Sequence, residues 1–115
     1  MLNVAWVKLT TGDWCQFETV DLSGVNAVGV YIIWHSGNPS RVVRVGQGDI
    51  ADRLRSHRFD TTVIAYRPLG TLYVTWAVVP VSLLDGVERF LAEHWKPLVG
   101  DRFPVALPVA VNQPF

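Results

Sequence analysis

The 115-residue chain has one cysteine, no net charge and no long apolar run. A single cysteine, Cys15, excludes a framework of internal disulfides. The wholly apolar stretches are only a few residues long, far short of the roughly 20 that cross a bilayer. Met1-Leu2-Asn3-Val4 shows no basic region leading into an apolar core and a small-residue cleavage site. No signal peptide is therefore expected, and cytoplasmic residence follows by default. His35 and His94 have no cysteine or carboxylate pair at metal-ligand spacing, which argues against zinc. Ten basic residues balance ten acidic ones, which lowers the expectation of a nucleic-acid partner.

What is present is core-forming material. Half the residues are hydrophobic and 17% are charged, the composition of one globular domain spanning 1–115. A chain of this length buries roughly two thirds of its unfolded surface. The charge is neutral only in sum. Residues 41–67 hold six arginines (41, 44, 53, 55, 58 and 67) against three aspartates, and both flanking stretches are slightly acidic. Arginine's planar fork suits phosphate, so this segment supports a short footprint on nucleic acid, with solvated helix arginines as the alternative. Repeats and low-complexity segments are absent from the sequence.

Residues 4–9 and 14–20 read as strands around the turn 10–13, an N-terminal hairpin within 1–25. Cys15 shares a strand face with Phe17 there and reads as a small core residue. Residues 28–34 form a continuous apolar run, the pattern of a strand buried on both faces. The turn cluster 35–40 then leads into an antiparallel partner over 41–45, which Gly46-Gln47-Gly48 breaks. Asp49 is placed to cap a helix from Ile50 to about Arg58. On it Ile50, Leu54 and His57 share one side with Arg53 beside them, while Asp52 and Arg55 point away. Residues 62–66 read as extended, and 71–79 as a strand ended by Pro80. The longest helix begins at Ser82 with Asp85 as a capping-box acid, and Pro97 closes it. Its apolar positions span about 140° of arc, with Glu88 about 20° past one edge, the carboxylate best placed for the rim of a cleft.

The order of these residues resembles the GIY-YIG nuclease superfamily. Gly29-Val30-Tyr31 looks like the first motif, with valine for isoleucine, and Arg44-Val45-Gly46 like the second, with arginine where the name calls for tyrosine. Residues 47–57 are similar to the family's glycine turn and first helix, one residue short of the commonest form. Arg53 matches its phosphate-contacting arginine and His57 a histidine one turn later. Glu88, nine residues before Pro97, is similar to its metal-binding glutamate. Asn112 matches, across a longer insertion, the asparagine that follows the proline. The resemblance spans 28–112. It implies an α/β fold of α+β type: a central three-stranded antiparallel sheet flanked by helices, the hairpin being an addition.

The resemblance implies Mg²⁺-dependent (or Mn²⁺-dependent) hydrolysis of a phosphodiester at a single metal site on Glu88. Tyr31 would position or deprotonate water, Arg53 would clamp the phosphate, and His57 would orient water or bond a phosphate oxygen. Arg44 cannot act as a base but can clamp phosphate or depress the pKa of Tyr31. Gly46, Gln47, Gly48, Arg55 and Asn112 are the candidate substrate contacts. A core tyrosine, a solvated helix arginine, a packed histidine and a helix-surface glutamate are the structural alternatives. The expected activity is an endonuclease nicking one strand at a time, with DNA favoured over RNA, acting as a monomer or weak homodimer away from membranes. The alternative is a catalytically inactive or weakened domain of this type that binds nucleic acid or protein.

Overall fold

In the computed structural model, which describes residues 1–100 and 102–115, the chain is α+β. Strand β1 is Cys15–Gln16, β2 is Val28–His35 and β3 is Arg41–Asp49. Helix α1 (Ile50–His57) and the short α2 (Thr61–Ile64) precede β4 (Leu72–Val78), and α3 (Leu84–Trp95) follows it. The sheet has four strands in the order β1-β4-β2-β3, every neighbouring pair antiparallel. The expected three-stranded core is therefore present with one strand more. The Cα radius of gyration is 13.2 Å, that of a folded chain of this length. No helix among the described residues is long and apolar enough to cross a membrane.

β2 is apolar throughout because both its faces are covered, as the run 28–34 implies. Tyr31 and Ile33 face α1 and α2, packing with Ile50, Leu54 and Val63. Val30, Ile32 and Trp34 face α3, packing with Leu84, Val87 and Leu91. Trp34 and Trp76 are core residues, and Cys15 is buried beside β4, where desolvation pushes its thiol pKa up.

The N-terminal hairpin does not form. Residues 4–9 make no strand, and the bonds from the Leu9 N–H to the Asp13 carbonyl and from the Gly12 N–H to the Leu9 carbonyl, both 2.9 Å, only close the turn. Both arms turn to the open edge of β4 instead. The Val7 N–H donates to the Trp76 carbonyl at 3.0 Å, and Cys15–Gln16 pairs with Val74 and Tyr73. An edge strand inside the sheet offers more unpaired groups than an isolated ribbon does.

Three other expectations change. β3 does not break at Gly46 but continues to Asp49, with Gly46, Gln47 and Gly48 opposite Tyr31, Val30 and Gly29. Residues 61–64 are helical rather than extended, because Asp60 Oδ1 accepts from the Thr62 N–H at 3.0 Å and caps them. The capping box at Ser82 is absent: Val81–Leu83 is a 3-10 turn, and α3 starts at Leu84 without a side-chain cap. α3 ends as expected before Pro97, on Lys96 in the left-handed region (φ 48°). Asp49 does cap α1, accepting from the Asp52 N–H at 3.1 Å.

The termini close on each other. Asn112 Oδ1 accepts from the Val4 N–H at 2.7 Å, and Asn112 Nδ2 donates to the Val4 carbonyl at 2.9 Å. Leu2 and Val111 form a parallel bridge beside this clasp. Asn112→Ala removes both side-chain bonds and leaves a half-buried backbone pair open. It is expected to lower unfolding stability by about 1–3 kcal/mol, measured as a fall in the urea midpoint at constant m-value.

Candidate active site

The site is built around the edge strand β3. Antiparallel pairing sets Tyr31 opposite Gly46, with both side-chain positions toward α1. A Cβ on Gly46 would overlap the Tyr31 hydroxyl, so only glycine lets the phenol lie across the strand. The hydroxyl reaches His57 at the end of α1, with Oη and Nε2 2.6 Å apart. His57 Nδ1 faces Asp60 Oδ2 at 3.4 Å. These partners assign the hydrogen on Nδ1 to the Asp60 side and let the Tyr31 O–H donate to Nε2. Tyr31 has no exposed surface and His57 is 4% exposed, so this line of proton-bearing groups is internal.

Position 47 points to the other face. Gln47, opposite Val30, turns toward α3, where its Nε2 donates to Asp85 Oδ1 at 2.7 Å and to Glu88 Oε2 at 3.2 Å. Glu88 is buried and Asp85 exposed. Gly48 lies at φ +125°, a conformation that needs glycine, and a Cβ there would meet the Arg53 stem 3.4 Å away. Arg53 itself is exposed. Arg44, half-buried on β3, has an Nε with no hydrogen-bond partner among the described residues.

Electrostatics joins the two faces. Burial first, then the charges of Arg44 and Arg53, hold the His57 pKa down at about 4, against the smaller opposing pull of Asp60. Burial also pushes the Glu88 pKa up, aided by Asp85 and opposed by the Gln47 hydrogen bond and by the same two arginines. Both guanidinium groups therefore act on the imidazole and on the carboxylate.

The structure thus gathers Tyr31, Arg44, Gly46, Gln47, Gly48, Arg53, His57 and Glu88 around one strand edge. Two expected substrate contacts lie apart. Arg55 faces Asp52 at 3.9 Å on the outer side of α1, and Asn112 spends its amide on Val4. Two participants went unread in the sequence. Asp85 sits three residues before Glu88 on one face of α3, and Asp60 sits three after His57, in the cap that opens α2. In the sequence Asp85 reads only as a capping-box acid, and Asp60 carries no assigned role.

Among the described residues no group of three or more histidine, cysteine, aspartate or glutamate side chains lies together. A metal at Glu88 would rest on fewer protein donors. Asp85 and Glu88 converge on one amide nitrogen, and burial together with the Asp85 charge raises the Glu88 pKa. Two carboxylates of this kind suit Mg²⁺, which keeps several waters and takes further oxygen from substrate phosphate. Comparison with protein-family models, curated proteins and solved structures gives no match for this chain.

The buried imidazole makes stability depend on pH. The unfolded chain takes up a proton at His57 near the ordinary 6.5, the folded chain only near about 4. Between these values the unfolded state holds more protons, so stability is complete above the upper value and falls as the pH drops through the window. The loss attributable to His57 is expected to reach as much as about 3 kcal/mol. His57→Phe cannot titrate and retains the Glu88 contribution, which has the opposite sign. Urea unfolding from pH 7 to 4 should give a visibly flatter slope for the variant than for the wild type. Equal slopes would mean that the imidazole is solvated.

Proposed function

We propose that the chain is a metal-dependent phosphodiester hydrolase that nicks DNA one strand at a time. The observation that supports this most is the shared reach of Arg44 and Arg53 over His57 and Glu88, because phosphate hydrolysis needs cations and a carboxylate at one place. Motif order adds to it: the same residues carry the resemblance to the GIY-YIG nucleases.

In this reading the exposed Arg53 receives the phosphate through two parallel N–H donors. Arg44 adds a second positive charge from the strand. Glu88 and Asp85 would hold the single Mg²⁺ or Mn²⁺, releasing the Gln47 amide to a substrate oxygen. When bound, the ion supplies charge stabilisation for the phosphoryl and leaving oxygens. His57, neutral at pH 7, accepts the Tyr31 O–H and fixes its orientation; with a pKa of about 4 it is a positioning partner rather than a strong base. Asp60 orients the ring.

A second reading is kept because of one observation. Tyr31 has no path to solvent, so its hydroxyl meets water only if the strand edge 46–48 shifts. A domain that binds nucleic acid through Arg44 and Arg53 without cutting it has no need of that shift. Arginine at position 44, where the resemblance calls for a tyrosine, favours the same alternative.

Nicking of supercoiled plasmid separates the two. The wild type should nick with Mg²⁺ and not with chelator, and Glu88→Gln and Arg53→Ala should each lose about 10²–10³ in rate. Equal nicking by wild type and Glu88→Gln would remove the proposed site. Plasmid retention in a gel shift, with no nicking under any metal condition, would establish the binding reading.

A further inference from the structure

A cavity of about 320 Å³ opens at the far end of the β2–β3 hairpin, away from the site described above. Its walls come from three segments that the backbone locks together. The turn after β2 and the 3-10 turn Arg67–Leu69 touch through two glycines. A Cβ on Gly37 would fall 2.6 Å from the Leu69 carbonyl oxygen, and one on Gly70 would fall 2.6 Å from Gly37 N. The Ser36 N–H donates to the Thr71 carbonyl at 3.0 Å beside them. The third wall is Leu98, whose N–H donates to the Val42 carbonyl at 3.1 Å. The cavity is thus preformed, and no segment has to order before a ligand enters.

The lining has a definite chemistry. His35 and Tyr66 present parallel rings, 6.2 Å between centroids and 4° between planes. His35 is buried and its Nδ1 accepts from the Gly37 N–H at 3.1 Å, which fixes the ring and puts its hydrogen on Nε2. Pro39 and Leu69 add apolar surface. At the polar side stand the Asn38 amide and Arg41, both exposed, and Arg41 pairs with no carboxylate among the described residues. Flat aromatic walls take a planar ring, an amide reads a hydrogen-bonding edge, and a free guanidinium takes an anion. A heteroaromatic ring carrying a phosphate satisfies all three.

We propose that this cavity binds one unpaired nucleotide, the base against Tyr66, which the buried His35 ring backs, and the phosphate on Arg41. The inference rests on the proposed function and sharpens it. Arg41 and Gly46 are five residues apart on β3, about 17 Å at strand rise, so one strand of nucleic acid spans both places within a few nucleotides. The preferred substrate is then single-stranded beside the cut, as in a flap or overhang, rather than continuous duplex.

The test uses the full chain with adenosine monophosphate, a ten-nucleotide single strand and a blunt duplex. Amide chemical shifts of residues 35–41 should move on titration with the mononucleotide, without metal and equally in Glu88→Gln. Arg41→Ala, at an exposed position, should weaken binding about tenfold. Tyr66→Leu, which keeps apolar bulk against the core, should weaken it by a similar factor by removing the stacking face. The single strand should bind about tenfold tighter than the duplex, and Tyr66→Leu should erase that preference. No shift at 35–41, or an Arg41→Ala variant that binds like wild type, overturns the proposal. Equal affinity for the mononucleotide and the single strand overturns the strand reading in favour of a free nucleotide. Mononucleotide binding without nicking supports the cavity and removes the nuclease; nicking without mononucleotide binding removes the cavity alone.

Discussion

The phenol of Tyr31 lies on the backbone of Gly46, and the arrangement of the site follows from that contact. A strand residue with no side chain gives the ring room to cross β3 and meet the last residue of α1. The distance from sheet to helix is then set by an aromatic ring and an imidazole in line. One position further along, the pleat turns Gln47 to the opposite face, where it ties β3 to α3 through Asp85 and Glu88. The same short piece of strand therefore holds both helices, each by polar atoms at the margin of an apolar interface.

Burial acts on the two titrating groups in the same sense chemically and in opposite senses on their pKa values. It favours neutral imidazole at His57 and neutral carboxyl at Glu88. Arg44 and Arg53 reinforce the first effect and resist the second. The outcome is a cluster in which two fixed positive charges act on both His57 and Glu88. The arginine-rich stretch 41–67 thus resolves into separate uses. Arg58 holds the Phe17 and Val20 carbonyls, Arg67 pairs with Glu18 and Arg55 with Asp52, while Arg41, Arg44 and Arg53 pair with no carboxylate among the described residues.

Much of the fold was legible along the chain. Strand β2 read as an unbroken apolar run and β4 as a strand ended by Pro80, and Asp49 and Pro97 marked helix ends by chemistry that operates within a few residues. The misreadings fall where a distant partner outweighed a local preference. Residues 4–9 alternate like a strand, yet the open edge of β4 took both hairpin arms. Threonine and valine at 61–63 favour extension, yet Asp60 closed a turn around them. Ser82 and Asp85 match a capping box, yet Gln47, thirty-eight residues before Asp85, took the carboxylate. In the candidate site, order and spacing singled out Tyr31, Arg44, Arg53, His57 and Glu88. They could not single out Asp60 and Asp85, whose partners are visible only once helices are placed.

By itself the sequence determined which segments become strands and helices through most of the chain, because periodicity, glycine and proline act over one or two turns of backbone. It determined too that arginines concentrate beside a glycine-rich strand end. Tertiary structure alone decided that the phenol is sealed from solvent, that the amide of Gln47 joins two carboxylates, and that Asn112 clasps the N-terminus. Each of these depends on how far apart two packed elements stand. That distance is set by the summed volume of side chains between them, a quantity no local pattern records.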